Sequence, residues 1–217
     1  MTEPIGVAGR PAIPPAVLEG RVIAIARRLP AEGLPAVAAA LRAGGVRAFE
    51  VTLDSPGALA GIAAVAAAEA SLGAAGLLVG AGTVLTVEQA SAALGAGARF
   101  LVMPHTDAEI VAWAAGRGIP AFPGGMTPTE ILAAWRAGAA AVKVFPAATL
   151  GASFVRELRG PFADIPLVPT GGVTVDNAAA FVAAGAVAVG VGGWLTGSGD
   201  PELVRERAAA LVAAVAG

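Results

Sequence analysis

Lys143 is the only lysine in a chain of 217 residues, and it sits inside the apolar run Ala141-Val142-Lys143-Val144-Phe145-Pro146. The other cationic side chains are arginines, which keep their charge at any ordinary pH. A desolvated lysine gives up its proton and can attack a carbonyl carbon. Lys143 is therefore a candidate Schiff-base nucleophile. Position alone leaves a second reading open, a lysine whose head reaches solvent or pairs with a carboxylate.

The carboxylate best placed to meet it is Glu50. If Val46–Leu53 is a strand, Val46, Ala48, Glu50 and Thr52 share one face and Arg47, Phe49, Val51 and Leu53 the other. The bulkier apolar face should pack on helices, which turns Glu50 inward. The same count on Ala141–Phe145 sends Val142 and Val144 outward and Lys143 inward. Desolvation raises a glutamate's pKa and lowers a lysine's; a shift of about three units, costing about 4 kcal/mol, brings the amine near neutrality. A purely structural Lys143–Glu50 salt bridge is the competing reading, and it is a weak device for stability because apolar replacements often serve as well.

Cysteine and tyrosine are absent and His105 is the only histidine. Disulfides, thiolate sites, cysteine nucleophiles and a zinc site built on several imidazoles are thereby excluded, as is a Ser-His relay that does not use His105. Neither a metal nor an organic cofactor is expected. The net charge of −2, with no long charged block, argues against nucleic acid and against a polybasic membrane contact. A small metabolite is the expected partner, and the cytoplasm the expected location.

The elements that must hold these residues repeat one unit: an alanine-rich helix ending in glycine, a short strand, then a loop closing on a helix cap. The predicted strands are Val22–Ala26, Val46–Leu53, Leu77–Ala81, Arg99–Met103, Ile119–Phe122, Ala141–Phe145, Leu167–Thr170 and Val187–Val191. Glycines such as Gly45, Gly97, Gly118, Gly138 and Gly185 fall where helices need left-handed ends. Thr86-Val87-Glu88-Gln89, Thr106-Asp107-Ala108-Glu109 and Thr127-Pro128-Thr129-Glu130 read as capping boxes, and Ser55-Pro56 as an N-cap with proline at the first helical position. The pattern predicts a single-domain (β/α)8 TIM barrel over residues 16–217, preceded by a loose lead-in over residues 1–15. The apolar stretch Ala178–Leu195 is broken by glycines and reads as barrel, not as a membrane span.

In such a barrel the chemistry lies at the C-terminal strand ends. Thr170-Gly171-Gly172 follows strand seven and precedes a helix near Thr174, a place suited to phosphate on backbone N–H groups, and Gly192-Gly193 ends strand eight. Phe145, beside the lysine, either helps to keep the amine dry or simply fills core.

Phe49-Glu50-Val51-Thr52-Leu53, Gly80-Ala81-Gly82-Thr83-Val84-Leu85, Val142-Lys143-Val144-Phe145-Pro146-Ala147 and Pro169-Thr170-Gly171-Gly172-Val173 stand in the order and spacing of a known family. From about Val22 to Leu195 the chain resembles the class I 2-keto-3-deoxy-6-phosphogluconate aldolases, a family that includes phosphogalactonate and 4-hydroxy-2-oxoglutarate aldolases. The resemblance implies that Lys143 forms the imine with a 2-oxo acid and that Glu50 moves protons, partly through water. Thr83 looks like the hydroxyl that binds the pyruvate carboxylate, and Arg27 like a cationic partner. Pro104, Phe145, Thr170, Gly171, Gly172, Gly192 and Gly193 complete the implied substrate contacts, and a homotrimer is the implied assembly.

Two residues depart from the phosphogluconate pattern. Asp54 stands where many relatives carry a carboxylate-binding arginine, which leaves that role to Arg27, Thr83 or backbone amides; Asp54 could also support a helix cap. Leu53-Asp54-Ser55-Pro56 looks more like the phosphogalactonate branch. Gly193 stands where many relatives carry a serine that touches phosphate. His105 either contacts substrate or lies exposed at the mouth, and Met126 either lines the mouth or packs. The expected activity is reversible cleavage of a 2-keto-3-deoxy-6-phospho sugar acid to pyruvate and glyceraldehyde 3-phosphate. The alternatives are cleavage of 4-hydroxy-2-oxoglutarate to pyruvate and glyoxylate, and a non-catalytic binding or scaffold barrel.

Overall fold

A computed structural model of the chain describes residues 9–216. Its first element is a short helix, α1 (Pro15–Gly20), followed by β1 (Val22–Ala26), α2 (Leu34–Ala43), β2 (Ala48–Thr52), α3 (Ala58–Ala70), β3 (Leu78–Gly82), α4 (Val87–Gly95), β4 (Leu101–Val102) and α5 (Ala108–Ala115). The chain continues through β5 (Ala121–Phe122), β6 (Gly124–Gly125), α6 (Pro128–Arg136), β7 (Val142–Val144), α7 (Ala147–Leu158), β8 (Leu167–Pro169), α8 (Val175–Ala183), β9 (Val189–Val191), α9 (Gly193–Thr196) and α10 (Pro201–Val215).

The strands are all parallel. Six form a curled sheet in the order β5-β4-β3-β2-β1-β9, and three form a second sheet, β6-β7-β8. The predicted fifth strand, Ile119–Phe122, is shorter than expected, and its continuation at Gly124–Gly125 pairs with β7 instead of β4. Pro123 stands between the two pieces, with no N–H to give to a neighbouring strand. Several other predicted strands also lose end residues, Val46–Leu53 contracting to Ala48–Thr52 and Arg99–Met103 to Leu101–Val102.

Side-chain alternation divides the apolar residues as expected. Phe49, Val51, Val142 and Val144 join the layer between strands and helices. Ile23, Ala48, Phe100, Phe122, Ala141, Val168 and Ala188 meet on the inner face, with Val17 of α1 against them. The Phe100 and Phe122 rings pack edge to face, centroids 5.8 Å apart. Burying each is worth about 1.5–3 kcal/mol, and the pair geometry about 0.5–1.5 kcal/mol more. Gly80 makes this possible, since a Cβ there would lie 2.4 Å from the Phe100 ring.

The capping box expected at α6 is present, Thr127 and Glu130 bonding reciprocally. Thr86 caps α4 through the Gln89 N–H. Two expectations are corrected. Asp107, not Thr106, caps α5, while the Thr106 hydroxyl donates to the Gly124 carbonyl. Ser55 does not cap α3, which begins after Gly57; its hydroxyl accepts the Arg28 N–H at 2.8 Å. Gly138 and Gly185, at φ of 108° and 101°, turn the chain from helices α6 and α8 toward the next strands.

Of the expected lead-in, residues 1–8 lie outside the described residues. Arg10 donates to the carbonyls of Trp135 and Ala139 and lies over the Trp135 ring. Trp113 sits on α5 with Arg117 over its ring. Among the described residues no helix is long and apolar enough to cross a membrane; Ala178–Leu195 is divided between α8, β9 and α9.

Candidate active site

A cavity of about 710 Å³ opens at the C-terminal ends of the strands. Its wall includes Arg27 after β1, Thr83 after β3, Pro104 after β4, Lys143 and Phe145 at β7, Thr170, Gly171 and Gly172 after β8, and Gly192 and Gly193 after β9. Every expected site residue except Glu50 therefore lines one space. Glu50 is buried on the inner face of β2, only 1% exposed, and Lys143 is 4% exposed.

The β-ladders explain how they come together. Glu50 lies opposite Ile25 and Gly80, whereas Lys143 lies between Gly124 and Val168 in the other sheet. Gly82 leaves the room that the carboxylate fills: a Cβ there would lie 2.6 Å from Glu50 Oε1. Glu50 Oε2 is buried without a hydrogen-bond partner. Lys143 and Glu50 are not among the ion pairs of the described residues, which disfavours the structural salt bridge considered above.

The electrostatics follow from this placement. Burial pushes the Glu50 carboxyl up to about 7, while the charges of Lys143 and Arg27 pull it back. Burial also holds Lys143 below the ordinary lysine value; Glu50 opposes that shift and Arg27 adds to it. The Lys143 Nζ lies 4.9 Å from the Phe145 ring centroid, so an aromatic face shields one side of the amine. Such a pair can supply an amine that is readily uncharged and a carboxyl that exchanges its proton near neutrality.

At the mouth, Arg27 Nη1 donates to Asp54 Oδ2 at 3.0 Å and Nη2 donates to Thr83 Oγ1 at 3.3 Å. Asp54 thus partners Arg27 and does not cap α3, whose N-terminus has no side-chain cap. Thr83 holds a left-handed φ of 56°, an uncommon conformation for a β-branched residue that turns the chain sharply where β3 ends. At the other end, Gly171 and Gly172 have φ of 94° and 74°, and a Cβ at Gly172 would meet Ala148 at 2.4 Å. At the start of α8, Asn177 Oδ1 accepts the Thr174 N–H at 2.9 Å.

His105 and Met126 are exposed and do not line the cavity. Arg28, Trp194, Thr174 and Thr196 do, and sequence reasoning missed them. The available signals were position only, Arg28 following Arg27 past a strand end and Trp194 following Gly193. Among the described residues, no three His, Asp or Glu side chains gather in a way that could hold a metal ion.

The room around Glu50 is testable. Gly82→Ala places a methyl group against the carboxylate and Thr52 and should displace Glu50 while leaving the fold intact. Any reaction step that depends on proton transfer by Glu50 is expected to slow about 10²-fold, with circular dichroism unchanged. Full activity in the folded variant would mean that the position of Glu50 is immaterial.

Residues 14–211 match the family model described as KDPG and KHG aldolase. A 2-dehydro-3-deoxy-phosphogluconate aldolase of Treponema pallidum (strain Nichols) is 40% identical over 176 residues, 81% of each chain. A "probable 2-dehydro-3-deoxy-6-phosphogalactonate aldolase" of Rhizobium meliloti (strain 1021) is 37% identical over 207 residues, 93% of this chain and 94% of the relative. The crystal structure of a KDPG aldolase from Legionella pneumophila, with pyruvate captured as a covalent carbinolamine, superposes with a TM-score of 0.80 at 28% identity, covering 92% of this chain and 98% of that one.

Proposed function

The chain belongs to the KDPG and KHG aldolase family, and on that premise we propose that Lys143 is its imine-forming nucleophile and Glu50 its proton carrier. The protein is a carbon–carbon lyase that cleaves a 2-keto-3-deoxy-6-phospho sugar acid to pyruvate and an aldehyde. The observation that carries the residue assignment is a lone lysine, buried at the cavity wall, whose charge is coupled to a buried carboxyl that has one oxygen, Oε2, without a hydrogen-bond partner.

The chemistry follows from the two shifted groups. Uncharged Lys143 Nζ attacks the C2 carbonyl, giving a carbinolamine that loses water to become a protonated imine. Ionised Glu50, through a water, takes the proton of the C4 hydroxyl. The C3–C4 bonding electrons flow into the imine, releasing the aldehyde and leaving an enamine. Glu50, now protonated, serves the enamine carbon, and hydrolysis frees pyruvate and the amine. The pyruvate carbinolamine in the Legionella relative supports this order of events.

Arg27 and Thr83 lie together at one side of the mouth and are assigned to the pyruvate carboxylate, with Asp54 fixing the guanidinium. Gly171, Gly172, Gly192 and Gly193 bring backbone close to the space in front of α8, which suits a terminal phosphate. Pro104 and Phe145 supply apolar wall between the two ends. The two sheets are read as arcs of one (β/α)8 barrel over residues 16–217. That reading is supported by the Thr170–Gly190 bridge, by the Val187 N–H donating to Leu167, and by the single residue, Pro123, between β5 and β6. A cytoplasmic homotrimer is the assembly consistent with the family resemblance.

A coupled assay of pyruvate release tests the substrate assignment. Phosphorylated gluconate- or galactonate-type substrates are expected to give kcat/KM at least about tenfold above their unphosphorylated counterparts, the worth of one charge-assisted contact. Equal rates, or faster cleavage of 4-hydroxy-2-oxoglutarate, would replace the phosphorylated substrate with the shorter diacid. No release from any of them, with pyruvate untrapped, would leave a binding barrel.

A further inference from the structure

Three cationic side chains line the cavity, and two are already engaged. Lys143 is buried at the floor, and Arg27 spends one donor nitrogen on Asp54 and another on Thr83. Arg28 is the third, with its side chain 77% exposed and only a long 3.9 Å approach from Nε to Asp54.

Its backbone is unusual. Arg28 holds φ at 56°, a left-handed conformation that costs a non-glycine residue free energy. The Ser55 hydroxyl accepts its N–H at 2.8 Å, and Ser55 is itself buried and 3.1 Å from Thr52 Oγ1. A buried pair of hydroxyls therefore fixes this strained turn, at a position where glycine would be the less costly residue. Strain held in this way at a cavity wall points to a use for the side chain.

The turn carrying Gly192, Gly193 and Trp194 is tied to the same strand end. Thr196 Oγ1 donates to the Ile25 carbonyl at 2.6 Å, and Gly192 packs near Ile25. Arg28 and Gly193 line the same cavity, and at Gly193 the chain offers no hydroxyl and a Cβ would meet nothing within 4 Å.

We propose that Arg28 binds the terminal phosphate of the substrate, supplying from β1 the side-chain contact that Gly193 cannot supply from β9. This inference rests on the reading that the substrate is phosphorylated. A guanidinium suits a phosphate because its planar fork can donate two parallel hydrogen bonds to phosphate oxygens. It would make Arg28 a determinant of chain length and of phosphate preference, separate from the chemistry at Lys143.

The test is the ratio of kcat/KM for a phosphorylated substrate to that for its unphosphorylated counterpart, measured in the wild type, Arg28→Gly and Arg28→Gly/Gly193→Ser. Glycine suits the left-handed φ, so the variant should fold and melt no lower than its parent. The ratio is expected to fall about tenfold in Arg28→Gly, through KM more than kcat. A serine at 193 in that background should recover part of it. If the wild type shows no preference, the phosphorylated-substrate reading fails and takes this inference with it. If the wild type shows the preference and Arg28→Gly retains it, the substrate reading stands and the role of Arg28 is overturned.

Discussion

Replacing Lys143 by methionine is expected to abolish covalent capture of pyruvate by borohydride and to reduce aldol cleavage by on the order of 10⁴–10⁶-fold, the scale seen when a covalent nucleophile is removed. Methionine keeps an unbranched apolar stem of similar length and removes the amine, so the 4% exposed site should tolerate it. The buried amine is a cost to the fold, and the variant should melt at or above the wild-type temperature even as activity disappears. Mass spectrometry reads the first half of the prediction and calorimetry the second. Capture persisting in the variant would move the imine to another amine. Since no other lysine exists in the chain, that would leave only the α-amino group.

Glu50→Gln should lower kcat by about 10²–10⁴-fold and remove a limb of the pH–rate profile. In the wild type that limb is expected to have its midpoint near the carboxyl's value of about 7, with rate rising as Glu50 ionises. Imine formation with pyruvate should survive, more slowly, because the nucleophile remains. Stability carries an independent signature. Burial raises the folded-state value above the ordinary carboxyl value of 4.5. The folded state therefore binds the proton more tightly than the unfolded chain does. The stabilisation is fully present below about pH 4.5 and is lost as pH rises through about 7, amounting to about 3 kcal/mol for such a shift. Glu50→Gln should lack this loss, so the difference between the two stability profiles should open between pH 4.5 and about 8. The lowered value of Lys143 acts in the opposite sense at higher pH, which is why the difference is the quantity to measure. Parallel profiles would show that Glu50 is not held in the buried state described.

The pairing of these two residues was legible before any coordinates. A strand has a period of two, so Glu50 and Lys143 had to share the face opposite Phe49, Val51, Val142 and Val144. Their burial then followed from apolar neighbours alone. The α6 capping box was legible for a similar reason, because Thr127 and Glu130 are three residues apart and satisfy each other within one turn. Caps that depend on where the chain arrives from were not. Ser55 has the right spelling for an N-cap, yet its hydroxyl is taken by the Arg28 N–H, 27 residues earlier in the chain. Asp107, not Thr106, caps α5, because the Thr106 hydroxyl is taken by the Gly124 carbonyl in β6.

The sequence by itself determined which groups are available for chemistry: one lysine amine, one carboxylate in strand phase with it, and no thiol or imidazole set to offer an alternative. Those are properties of residue type and local period, which each strand carries wherever it is placed. Tertiary structure alone decided what surrounds that pair. It set Arg27 between Asp54 and Thr83, gave Gly82 its duty of clearing space for Glu50, split the fifth strand at Pro123, and brought Arg28 to the cavity that Gly193 also lines. These contacts join strands far apart in the chain, and their partners are chosen by the curl and register of the sheet, which no short window of residues contains.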